Sequence, residues 1–97
     1  MKQCNSLEEV RVEIDKIDTQ LVDLISERSH LIRQAAAFKE SVEEVKAEDR
    51  INHIMQRVRH HAIEKGISPN MISDLFTIMI NEMVETEIAE LRNKNSF

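Results

Sequence analysis

Between residues 10 and 38 the apolar positions recur at alternating intervals of four and three: Val10, Ile14, Ile17, Leu21, Leu24, then Leu31, Ala35 and Phe38. This is the spacing of one inward helical face. One member is missing, and Arg28 stands in its place. A guanidinium keeps its proton in a protein, so burying it unpaired is costly. It demands an anion, either a carboxylate of the protein or a bound ligand. Upstream, Ser6-Leu7-Glu8-Glu9 has the form of a capping box, with Ser6 as N-cap and Glu9 at N3. No Gly or Pro interrupts the pattern, which predicts a first helix running to about Lys39. At 1.5 Å per residue it spans about 50 Å, more than a domain of this size is wide. Such a helix needs a further surface for its stripe, and a second copy of the chain is the economical one, which predicts a homodimer.

Residues 40–47 have weak periodicity and clustered acids, and read as a loop. A second helix is expected from about Glu48 to Glu64, with Ile51, Ile54, Met55, Val58 and Ala62 on one face. Gly66 follows as a left-handed C′ residue. Ser68 then caps a third helix with Pro69 at its first position, running to about Arg92. Its inward stripe is Ile72, Phe76, Ile80, Met83, then Glu87, then Leu91. The expected fold is all-α, with three helices in one domain over residues 1–97 and short tails at 1–5 and 93–97.

Composition agrees with the pattern. Gly and Pro occur once each, and Trp and Tyr are absent. A chain of 97 residues buries a modest core on its own, which again favours association. The net charge of −5 argues against nucleic acid as a partner, because phosphate binding needs basic surface. No apolar run suits a signal peptide or membrane span, and the one cysteine, Cys4, offers no disulfide, so a reducing cytoplasm is the expected location. His53, His60 and His61 lack the spacing of metal ligands, and read as a solvated helix face.

The candidate chemistry lies in polar residues set near apolar faces. Lys39 follows Arg28 by eleven residues, so on a continuous helix the two cations share a face, about 16 Å apart. Arg11 lies about 25 Å before Arg28 and cannot serve the same small site within one straight helix. In an antiparallel dimer, Arg11 of the partner subunit approaches Arg28, giving two equivalent sites. Glu87 is out of place in its stripe as Arg28 is in its own. Desolvation would favour its neutral form, and a nearby cation its charged form. Two readings remain open. Arg28 and Glu87 can form an ion pair that fixes helix register, or the cations can receive an anionic ligand.

With these residues placed, the chain resembles the all-helical chorismate mutase family over about residues 7–92. The resemblance rests on Arg11 followed by Ile14, on Ile17-Asp18, Leu21 and Glu27-Arg28, and on Phe38-Lys39. It continues through Asp49-Arg50 and from Gly66 to Phe76, and reaches Glu87. It implies an intertwined dimer of three-helix chains acting, without cofactor or metal, on a small dianion, chorismate or isochorismate. Arg28 would grip one substrate carboxylate and Arg11 of the partner subunit the other, as planar forks suit. Lys39 would donate to the ether oxygen and a carboxylate, and Asp49 would receive the ring hydroxyl. The implied reaction is an intramolecular [3,3] rearrangement to prephenate, in aromatic amino acid biosynthesis. It requires folding of the substrate and stabilisation of charge on the breaking ether bond, a role open to Lys39 and Glu87.

Three departures from the best-known mutases bear on this. Glu87 stands where they carry Gln, and donates to the ether oxygen only when protonated, so the rate is expected to rise in acid. The segment between Lys39 and Asp49 is shorter, with Glu48 where they have Arg. Met83 replaces a Ser. The short segment and Phe38-Lys39 look more like isochorismate-pyruvate lyase, which yields salicylate and pyruvate. Acidic Glu48 and Asp49 also suit the ammonium of 4-amino-4-deoxychorismate. Outside the enzymes, the alternative is a non-catalytic helical dimerisation module.

Overall fold

The computed structural model describes residues 3–94 of the 97-residue chain, and every regular element among them is helical. Three long helices, α1 (Leu7–Ala36), α3 (Glu48–Glu64) and α4 (Pro69–Lys94), are joined by a five-residue helix, α2 (Val42–Lys46). The chain divides into two compact units, residues 1–31 and 32–97.

The first unit holds most of α1. Its start is the expected capping box: Ser6 Oγ accepts from the Glu9 N–H at 3.1 Å, while Glu9 Oε2 accepts from the Asn5 N–H at 2.7 Å. The first bond satisfies a donor that a helix start leaves open, and the return bond is shifted by one residue, tying down the N–H that precedes the N-cap. The apolar stripe is present but exposed: Ile14 keeps 50% of its surface, Leu21 51% and Leu24 60%.

The second unit begins with the last turn of α1, where Ala36 is buried. Here the helix ends three residues before the expected Lys39. Ala37, Phe38 and Lys39 donate instead to the carbonyls of Gln34, Ala35 and Ala36, the three-residue bonds of a tightening turn. No Gly or Pro marks this end. Tertiary bonds hold it: the Lys94 ammonium donates to the Ala37 carbonyl at 3.0 Å, and Lys39 reaches into the unit. Arg28 and Lys39 therefore do not lie on one unbroken helix as expected, because Lys39 follows the end of α1.

The expected loop at 40–47 contains α2. Ser41 Oγ accepts from the Glu44 N–H at 3.2 Å, and Glu44 Oε2 accepts from the Glu40 N–H at 2.7 Å. Ser41-Val42-Glu43-Glu44 thus repeats the capping box of Ser6-Leu7-Glu8-Glu9. Its single turn is too short for a periodic signal. Val45 is buried, and α2 packs on α4.

α3 keeps its expected bounds and packs on α4, burying Ile54 and Ala62. It closes in a Schellman motif: Gly66 has φ +73°, its N–H meets the Ile63 carbonyl at 3.1 Å, and the Ile67 N–H meets the Ala62 carbonyl at 3.0 Å. Arg59 ties the helix to α4, donating to the Pro69 carbonyl, Asn70 Oδ1 and Ser73 Oγ. Ser68 Oγ accepts from the Met71 N–H at 3.1 Å, as an N-cap should. α4 extends two residues past the expected Arg92, so the expected tail at 93–97 is shortened at its start, and its remainder lies outside the described residues.

Candidate active site

The inward face of α4 buries Ile80, Glu87 and Leu91, the positions its stripe requires. Glu87 is the deepest polar group among the described residues, with 3% of its surface exposed. A carboxylate so placed must be paired, since an unpaired charge in a core costs several kcal/mol, on the order of 3 or more. Its partner is Lys39. The ammonium lies 3.0 Å from Oε1 and 3.1 Å from Oε2, and a quarter of the Lys39 side chain (26%) stays in solvent. The turn after α1 sets this contact by bringing the Lys39 stem off the helix and towards α4.

The pair has a chemical consequence. One end is fixed and desolvated, while the other is a cation with a solvent-facing side. An ammonium has three protons, so contact with Glu87 leaves it able to donate further. The low-dielectric surroundings strengthen any interaction it makes with developing negative charge. The cation that meets Glu87 is Lys39.

The other residues expected at the site are placed as follows. Asp49 is exposed in the first turn of α3. Arg28 is half-buried and Arg11 exposed, both on α1 in the first unit. Lys39 and Glu87 are brought together. Two polar anchors of the second unit escape the sequence pattern, Arg59 and Lys94. For Lys94 a signal existed, because the stripe Ile80, Met83, Glu87, Leu91 continues at an interval of three to position 94. His53, His60 and His61 lie on the α3 surface, where His60 Nε2 is 3.0 Å from Glu64 Oε1. Among the described residues, no group of three or more His, Cys, Asp or Glu is placed to hold a metal, and no helix is long and apolar enough to cross a membrane.

Fold and site together define an all-helical protein in which a buried carboxylate, Glu87, meets the partly solvated ammonium of Lys39. The chain belongs to the chorismate mutase type II family, whose model matches residues 10–88. It is an enzyme of that family. Over 93 residues it is 30% identical to a chorismate mutase of Methanocaldococcus jannaschii, covering 92% of this chain and 94% of the relative. Over 87 residues it is 25% identical to an isochorismate pyruvate lyase of Pseudomonas aeruginosa, covering 90% of this chain and 86% of that relative. The match spans both compact units.

Proposed function

We propose that this chain is a chorismate mutase that converts chorismate to prephenate by a [3,3] rearrangement and works as a homodimer. The observation that carries the reading is the Lys39–Glu87 pair, an ammonium held in place by a buried carboxylate with a face left for a ligand. The reaction breaks the ether C–O bond as a new C–C bond forms in the same molecule. It needs no nucleophile, base or cofactor. What it needs is a folded substrate and a donor at the ether oxygen, where negative charge grows.

Lys39 is that donor in our reading, and Glu87 holds its ammonium in place. Arg28 grips one carboxylate of the substrate and Arg11 of the partner subunit the other. Asp49 receives the ring hydroxyl. Dimerisation is supported by the exposed stripe of α1, which in one chain leaves Ile14, Ile17, Leu21 and Leu24 each at least half exposed.

The lyase reading, with isochorismate as substrate and salicylate and pyruvate as products, has one specific support: the Pseudomonas relative spans nearly all of the chain. Incubating the purified protein separately with chorismate and isochorismate decides between them. Prephenate from chorismate is expected. Salicylate and pyruvate from isochorismate, with no prephenate from chorismate, would replace the mutase by the lyase. Turnover of neither would overturn both.

A further inference from the structure

The turn that carries Lys39 is fastened to one face of α4 at two levels. Glu87 and Lys94 are seven residues apart, two helical turns, with buried Leu91 between them on the same face. Glu87 takes the Lys39 ammonium. Lys94 takes the backbone of the same turn, its ammonium 3.0 Å from the Ala37 carbonyl. That carbonyl is one of the acceptors a helix C-terminus leaves without an intrahelical partner, and a cation there also meets the negative end of the helix dipole. Ala36, the residue before it, is buried, so the turn is seated as well as tied.

We propose that Lys94 is a positioning residue for Lys39. It fixes the backbone of the Ala37–Lys39 turn, so that the Lys39 ammonium arrives at a set height on α4 and presents its free side in one direction. This rests on the reading of Lys39 as the donor to the ether oxygen. Glu87 alone fixes only the tip of a four-carbon stem. With the turn loose, the stem keeps its contact while the remaining donors lose their aim. Displacing a catalytic group by about 1 Å costs up to about 100-fold in rate.

The test compares Lys94→Ala and Lys94→Arg with the wild-type chain in two measurements. The first is steady-state turnover of the substrate the wild type accepts. Lys94→Ala is expected to lower kcat about 10- to 100-fold and to add no further loss when combined with Lys39→Ala. Lys94→Arg, which keeps a long cationic donor, is expected to restore most of the rate. The second is amide hydrogen exchange at Phe38 and Lys39, whose N–H groups bond to the Ala35 and Ala36 carbonyls at 3.0 and 3.2 Å. Exchange there should speed up by on the order of tenfold or more in Lys94→Ala, and stay near wild type in Lys94→Arg. Unchanged kcat, or a loss that adds in full to that of Lys39→Ala, would overturn the positioning role. Unchanged exchange would overturn the anchoring itself. A wild type that turns over neither chorismate nor isochorismate would instead overturn the reading of Lys39, and the exchange result separates that failure from a failure of the anchor.

Discussion

A carboxylate at position 87 and a guanidinium at position 28 each take a place that an apolar stripe reserves for a hydrophobe. Both outliers are visible from spacing alone. The partner of Glu87 is not, because Lys39 reaches it only after α1 ends at Ala36, and nothing local marks that end. The pair makes opposite predictions for its two members. Lys39→Ala strands a buried carboxylate, and should lower stability by about 3 kcal/mol in thermal or urea melts, with residual turnover at least about 100-fold below wild type. Glu87→Gln keeps an acceptor for the ammonium at nearly the same shape. It should leave stability within about 1 kcal/mol and turnover within about tenfold. Arg28→Leu separates an enzyme from a binding module. One preorganised charge is worth about 3 kcal/mol in a transition state, so kcat/KM should fall at least about 100-fold.

At the level of the element, the three long helices could be read from period, caps and breakers. Gly66, Ser68 and Pro69 lie together at the α3–α4 junction, and each acts there as its chemistry requires. The short helix α2 could not be read from period, because five residues are too few to display one. Its capping box was nevertheless written in the sequence, in the same form as that of α1. Ser41→Ala removes the side-chain acceptor of the Glu44 N–H. It should cost about 1 kcal/mol, seen as a lower melting midpoint. Because Val45 holds α2 against α4, the loss should fall on the segment between Lys39 and Asp49 and be visible as faster amide exchange there.

For the whole molecule, the telling feature is how little of α1 is covered. Ala36 is the only residue of this 30-residue helix that is buried, while Leu21, Leu24 and Leu31 each expose more than half of their surface. The length of the helix and its unbroken stripe anticipate this from the sequence. In the proposed dimer the angle of approach depends on which two surfaces fit, and an apolar stripe encodes only the face that is used. A charge on the stripe, as in Leu21→Lys, should shift the chain from dimer to monomer in sedimentation or light scattering and abolish turnover, while a charge at an already solvated position such as Lys16→Glu should do neither.

The proposed site, shared between two subunits, is tested most directly by mixing two variants that are each expected to be inactive. Arg11→Ala and Arg28→Leu each remove a different half of the clamp. In a mixed dimer one site regains both arginines and the other loses both. Random reassociation of equal amounts, confirmed by mass-resolved detection of the mixed species, makes half of the dimers mixed. Turnover should therefore recover to about a quarter of the wild-type level. Turnover that stays at the level of the separate variants, although mixed dimers have formed, would contradict a site built from Arg28 of one subunit and Arg11 of the other.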